Sequence, residues 1–183
     1  VEAARGPVPL KHLANSGAVL GHPDTWFDLV RPGIMIYGAY PDPEAARTVP
    51  LLPALEWRTR VSFVKRVPAG ETVGYGRTWT APRDTWIATV PVGYGDGYSR
   101  LLSNRGRMLV RGRSYPIAGR VCMDQTMIDL GPDTDVAVGD EVVLVGRSGT
   151  DEITTSEVAG LMGTIPYEVT CLITRRVGRE TVG

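Results

Sequence analysis

The chain has 183 residues, 43% of them hydrophobic, enough for one domain or a domain plus part of another around a real core. Its 20 basic side chains are matched by 20 acidic ones, which argues against an electrostatic nucleic-acid partner. No apolar run approaches the ~20 residues of a membrane span and no signal-peptide pattern is visible, so no membrane partner is expected. The two cysteines, Cys122 and Cys171, have neither metal-ligand nor disulfide-framework spacing, so no metal is expected and a reducing cytoplasm is the natural setting.

The chain opens at Val1 without a methionine, and its first forty residues differ in texture from the rest, which implies a missing upstream part. Pro9-Leu10 leading into Lys11 to Gly17, and Trp26 to Val30 leading into Arg31 to Ile34, read as buried strands ending in loops. This is the pattern of a parallel α/β sheet or barrel, where ligands gather at the carboxyl ends of strands. Asn15-Ser16-Gly17 and Gly33-Ile34 offer hydroxyl and backbone donors to a phosphate, although Asn-Ser-Gly is equally an ordinary turn or helix cap. Without their sheet neighbours, residues 1–40 are expected to be disordered, rearranged or paired with another chain.

Pro41, Pro43, Pro50 and Pro53 mark a linker or boundary, and we expect one domain over 1–47 and a second over 48–183. From Leu55 to Val67 apolar and polar residues alternate, predicting one long antiparallel strand. Strands are predicted at Glu71–Val73, Trp86–Val92, Met127–Leu130 and Glu141–Val145, with a hairpin of Arg107–Val110 and Arg113–Val121 about Gly112. Together they read as a mainly β, antiparallel barrel or sandwich. Thr154 with Glu157 three residues on is a capping box before a helix that Gly163 can close. Pro166 suits the first turn of a short second helix, though the β-branched run there leaves a strand open.

Three irregular stretches stand out in this domain: Gly74-Tyr75-Gly76, Gly93-Tyr94-Gly95-Asp96-Gly97-Tyr98 and Gly119-Arg120-Val121-Cys122-Met123-Asp124-Gln125. The first two set a tyrosine on glycine-flanked backbone at a strand end. The third joins two strands with a guanidinium, a thiol, a thioether and a carboxylate, poor material for a solvent turn. Three such places suggest one shared site.

These stretches, with Lys11 to Ser16, Arg31 to Gly38 and Ile165-Pro166-Tyr167-Glu168, resemble the bacterial alanine racemase family in order and spacing. The resemblance covers nearly the whole chain. It implies the last strands of a pyridoxal-phosphate-binding (β/α)8 barrel followed by the antiparallel β-barrel domain of that family. It implies an isomerase that interconverts L- and D-alanine, supplying D-alanine to peptidoglycan, as a homodimer with shared active sites.

By motif, Tyr75 matches the catalytic tyrosine, which in the family reaches into the other subunit's site. Arg31 matches the arginine on the cofactor's pyridine nitrogen, and His12 the histidine supporting it. Ser16, Gly33, Ile34 and Tyr167 match phosphate-binding positions, with Asn15 beside them. The Met123 backbone N–H matches a contact to the substrate carboxylate, and Tyr94, Arg100, Arg120 and Ile165 match the access channel. Racemisation needs acid–base groups on both faces of Cα. Pyridoxal phosphate spreads the carbanion charge, and a phenol of ordinary pKa about 10 needs cationic charge beside it to act as a base near neutral pH.

The only lysines are Lys11 and Lys65, and neither matches the family's imine-forming lysine, so the chain alone is expected to be inactive. Competing readings are a non-catalytic β-barrel module whose loops bind a ligand or partner, and a racemase of broader amino-acid specificity.

Overall fold

The structure is a computed structural model that describes residue 6 and residues 10–182. Pro9, where the first expected strand begins, lies outside the described residues. The chain divides into two compact units, one ending at Ala54 and one starting at Leu55.

In the first unit, strand β1 (His12–Asn15) runs parallel to β2 (Leu29–Arg31), pairing His12 with Leu29 and Asn15 with Arg31. Helix α1 (Ser16–Gly21) connects them after Asn15, whose side chain accepts a hydrogen bond from the Ala18 N–H at 3.0 Å. Asn-Ser-Gly is therefore a helix cap. The expected parallel pairing is present, but two other expectations fail. The described residues here form a β/α unit rather than a disordered or rearranged segment, and of its strand residues only Ala14 is buried. Leu13 and Leu29 are exposed, as are Trp26 and Phe27, which form a turn rather than strand. A two-stranded sheet has too few neighbours to cover both faces. The proline-rich segment is tied back to its own unit by hydrogen bonds from Thr48 Oγ1 to the Leu20 carbonyl (2.8 Å) and from the Ala54 N–H to the Tyr37 carbonyl (3.1 Å).

The second unit is mainly β with antiparallel sheets, the expected class. Its strands are β3 (Trp57–Arg60), β4 (Phe63–Val67), β5 (Thr72–Val73), β6 (Trp79–Thr80), β7 (Thr85–Val90), β8 (Arg107–Val110), β9 (Arg113–Pro116), β10 (Thr126–Gly131), β11 (Glu141–Ser148) and β12 (Asp151–Ile153). One sheet has the order β10-β7-β4, another β12-β11-β8-β9 with β3 also on β11, and β5 pairs with β6.

The single strand expected over Leu55–Val67 is broken. β3 pairs with β11 and β4 with β7, and between them Val61 and Ser62 turn a corner. There the Val61 N–H donates to the Asp140 carbonyl at 2.9 Å, while the Ser62 N–H donates to the Thr89 carbonyl at 2.9 Å. The corner also shifts the alternation by one residue. Trp57 and Val61 point inward before it, but beyond it Val64 packs on the core while Phe63 is exposed. Period two reports which face a side chain takes, not which strand its backbone pairs with.

The hairpin β8–β9 turns at Arg111–Gly112 as expected, but β9 stops at Pro116 instead of reaching Val121. Ile117 makes one bridge to Ile128, and residues 118–125 leave as a loop. Helices α2 (Thr155–Met162) and α3 (Pro166–Leu172) follow. Thr154 caps α2, its hydroxyl accepting from the Glu157 N–H at 3.0 Å, and α3 resolves the helix-or-strand alternative as helix. Arg107 ties β8 to α2, donating to both Glu157 oxygens at 2.7 and 2.9 Å and to Asp151 at 2.7 Å.

The core of this unit is built from β8, β10 and β11, with Met108, Leu109, Ile128, Val142 and Leu144 buried. Leu109→Ala should lower the unfolding free energy by about 2–5 kcal/mol in urea titrations, whereas Val138→Ala at an exposed position should change it by no more than about 0.5 kcal/mol.

Candidate active site

The three irregular stretches converge in the second unit. β5 delivers the chain to Gly74, whose φ of 79° and ψ of 175° suit a residue without a Cβ, and the short helical turn Tyr75–Arg77 follows. The Tyr75 ring is 75% exposed, so it is free of the core and available to a ligand. A Cβ built on Gly76 would lie 3.2 Å from Arg120 Nε, so the Arg120 guanidinium lies against the turn that carries Tyr75.

Beyond β7, the loop 93–98 docks onto the Gly119–Gln125 loop backbone to backbone. The Tyr94 N–H donates to the Cys122 carbonyl at 3.0 Å and the Gly95 N–H to the Met123 carbonyl at 2.9 Å. A Cβ on Gly93 would sit 2.2 Å from the Cys122 oxygen and 2.4 Å from the Met123 oxygen, so only glycine permits this approach. The far end of the loop is anchored by Tyr98, buried and meeting Trp57 edge-on with ring centroids 5.9 Å apart. Burial, with Glu157 adding to it, pushes the Tyr98 phenol well above its ordinary value, so Tyr98 stays neutral and structural.

A third tie is ionic. Arg176 donates to Asp124 at 2.6 Å and lies 3.2 Å from Asp96, whose other oxygen accepts the Gly93 N–H at 2.9 Å. Asp124 is the larger cause of the raised Arg176 pKa. Asp96 and Asp124 lie within the stretches that stand out in the sequence, whereas Arg176 lies outside them. Nothing marks one arginine among 18 in a chain with two lysines, unless the fold shows what it faces.

The result is a cleft of about 550 Å³ whose walls include Tyr75, Tyr94, Arg100, Arg120 and Met123. Cys122 also lines it, but burial raises its thiol pKa against the opposing charge of Arg100, which leaves it a poor nucleophile. Five of the residues singled out from sequence therefore share one cavity. Ile165 and Tyr167 do not line it. Ile165 is exposed at the cap of α3, and Tyr167 is half-buried in its first turn.

The other candidates belong to the first unit, at the carboxyl ends of β1 and β2. Ser16 is buried, and its Oγ accepts from the Gly33 N–H at 2.8 Å and from the Met35 N–H at 3.5 Å. Ile34 follows Gly33 and is also buried. Both amides are aimed at the Ser16 hydroxyl, which keeps its own O–H to donate, a group that suits a phosphate oxygen. Arg31 ends β2 and donates from Nη2 to the Leu13 carbonyl at 3.2 Å, while His12 is exposed on the neighbouring strand. Among the described residues no group of histidine, cysteine or carboxylate side chains has metal-binding geometry, and no helix is long and apolar enough to cross a membrane.

Comparison with known proteins matches both parts of the chain to one family. The family model "Alanine racemase, C-terminal domain" matches residues 54–181, and "Alanine racemase, N-terminal domain" matches residues 1–41. The alanine racemase of Cutibacterium acnes is 57% identical over 183 residues, covering 100% of this chain and 48% of that protein. That of Halothermothrix orenii is 50% identical over 94% of this chain and 46% of its own length. Among solved structures, the alanine racemase from D-cycloserine-producing Streptomyces lavendulae superposes with a TM-score of 0.92 at 41% identity, over 100% of this chain and 48% of its own. The Bacillus anthracis alanine racemase with bound L-Ala-P gives 0.88 at 40% identity, over 96% and 46%. The chain thus spans about half the length of the relatives it matches.

Gly93→Ala should lower the urea midpoint by the equivalent of about 1–3 kcal/mol, because the added methyl group meets two carbonyl oxygens. Gly160→Ala, on open helix surface, should raise it by about 0.4–1 kcal/mol.

Proposed function

The chain belongs to the alanine racemase family, and on that premise we propose that it is the carboxy-terminal part of an enzyme interconverting L- and D-alanine. The observation that carries this reading is the exposed Tyr75 phenol sharing a cleft with Arg120 and the Met123 loop. In this reading residues 1–47 are the end of a (β/α)8 barrel and 48–183 the β-domain. The exposed apolar residues of the first unit, Leu13 and Leu29 among them, are then covered by the remainder of that barrel.

Pyridoxal phosphate, when bound, supplies the sink for the electron pair left at Cα. Ser16, Gly33 and Ile34 would hold its phosphate, with Asn15 beside them, and the family role of Tyr167 as a phosphate-binding residue is carried over as well. Arg31 would donate to the pyridine nitrogen. A guanidinium has only donors and keeps its proton, so it leaves that nitrogen unprotonated and moderates the sink. His12 supports Arg31. The Met123 backbone N–H receives the substrate carboxylate, and Tyr75 moves a proton at one face of Cα. Arg120 lies against the turn that carries Tyr75 and shares its cleft. Tyr94, Arg100 and Arg120 line the approach, and Ile165 is assigned to it by its family position alone.

Such an enzyme supplies D-alanine for peptidoglycan in the cytoplasm, a compartment compatible with free Cys122 and Cys171. We read the assembly as a homodimer in which Tyr75 serves the partner's site. A racemase also requires an imine-forming lysine. Lys11 immediately precedes β1 and Lys65 lies in β4, and neither takes that role.

Two measurements test this. In the complete protein, Tyr75→Phe should slow Cα proton exchange in D2O on one face by about 10²–10⁴-fold, read by proton NMR, while the cofactor absorbance band is retained. Loss of that band together with exchange on both faces would overturn the role. Equimolar pyridoxal phosphate followed by borohydride should leave the 183-residue chain unmodified by mass spectrometry. A stoichiometric adduct at Lys11 or Lys65 would contradict the assignment.

A further inference from the structure

One asparagine joins the turn that carries Tyr75 to the loop that carries Arg120 and Met123. Asn104 follows the helical turn Arg100–Leu102 and adopts a φ of 57°, in the left-handed region. Its Nδ2 donates to Thr78 Oγ1 at 3.1 Å and to the Thr78 carbonyl at 3.4 Å. Its Oδ1 accepts from the Gly119 N–H at 2.8 Å, and its own N–H donates to the Gly119 carbonyl at 3.1 Å. Next to it, Ser103 Oγ accepts from the Val121 N–H at 3.0 Å and donates to the Arg100 carbonyl at 2.6 Å. Residues 103–104 are thus laced along Gly119–Val121, and only the Asn104 amide reaches across to Thr78.

The turn and the loop are already pressed together on their other side. A Cβ on Gly119 would lie 2.7 Å from the Val73 carbonyl oxygen, immediately before the Gly74-Tyr75 turn. Between that contact and the Asn104 amide, the spacing of the two segments is held at both ends.

We propose that Asn104 is a positioning residue for Tyr75, its side-chain amide setting the separation between the Tyr75 turn and the Arg120–Met123 loop. The inference rests on the reading of Tyr75 as the acid–base group. Asn104 itself does not line the cleft. The residue type follows from the task. One planar group must donate to Thr78 and accept from Gly119, which a carboxylate cannot do, and the backbone must tolerate a positive φ, which asparagine does better than other residues with a side chain. The consequence for rate follows from orientation. An acid–base group displaced by about an ångström loses on the order of 10²-fold in rate.

Asn104→Asp in the complete enzyme keeps the acceptor for Gly119 and the tolerance of positive φ but loses the donor to Thr78. It should lower kcat by about 10–100-fold with KM nearly unchanged. Amide hydrogen exchange should rise by roughly fivefold or more in the peptide 74–79 and stay unchanged in β8 and β11. Thr78→Val removes one acceptor and should act in the same direction. Combining it with Asn104→Asp should cost less than the product of the two single effects. Should Asn104→Asp fail to fold, Thr78→Val carries the test alone. Unchanged kcat and unchanged exchange in both variants, beside a disabled Tyr75→Phe, would overturn the positioning role and leave the reading of Tyr75 intact. An undiminished Tyr75→Phe would instead overturn that reading, and with it the proposal.

Discussion

Two backbone hydrogen bonds hold the proposed site together: Tyr94 N–H to the Cys122 carbonyl and Gly95 N–H to the Met123 carbonyl. They form outside any regular ladder, between loops that leave different strands. They require carbonyl oxygens to come within van der Waals contact of the Gly93 Cα, and no side chain fits there. Once made, they present Tyr94 and Met123 to the same space. They also leave the Met123 N–H on the loop proposed to receive a carboxylate. The ionic chain Asp96–Arg176–Asp124 closes the same junction from outside. That chain is half-exposed, and surface ion pairs are individually weak. We therefore take it as a clamp on a geometry that the glycines make possible.

The loops hold their positions because their ends are fixed in a dry core. Tyr98 is the clearest case. It belongs to the same glycine-rich loop as Tyr94, yet one ring is buried against Trp57 and the other opens on the cleft. The loop on which Arg120 and Met123 sit is bounded in the same way. Ala118 donates to the Met127 carbonyl at 2.9 Å on one side, and on the other the Thr126 hydroxyl donates to the Val92 carbonyl at 2.7 Å. Chemistry of the kind proposed needs reacting groups placed within fractions of an ångström. Short loops sprung from close-packed strands meet that demand better than long mobile ones.

The first unit presents the opposite situation. Its local geometry is well formed, with Ser16, Gly33 and Ile34 brought to the carboxyl ends of two parallel strands. Yet Leu13, Trp26, Phe27 and Leu29, large apolar side chains close together in sequence, remain exposed. A free-standing binding module gives no reason for that surface. A barrel whose other strands lie in the remainder of a longer chain does, and the relatives are about twice this length.

Most of what the sequence settled by itself is local. The Thr154–Glu157 cap, the turn at Gly112, the parallel pairing ahead of Ser16 and the three glycine-flanked stretches were all legible, because each depends on residues within a few positions of one another. The mainly β class was legible from alternation, and the family from six motifs in order. Tertiary structure decided the rest. Leu55–Val67 alternates without interruption, yet its backbone changes sheets at Val61–Ser62, since alternation encodes faces and not partners. β9 ends at Pro116, though its apolar residues continue to Val121, because beyond the Ala118–Met127 bond Gly119 and Val121 bond to Asn104 and Ser103 instead of a strand neighbour. Asn104, Thr78 and Arg176 carried no signal at all. Each is an ordinary polar residue whose part is defined only by what stands across from it, 15 to 52 positions away in sequence, and such distances close only when the chain folds.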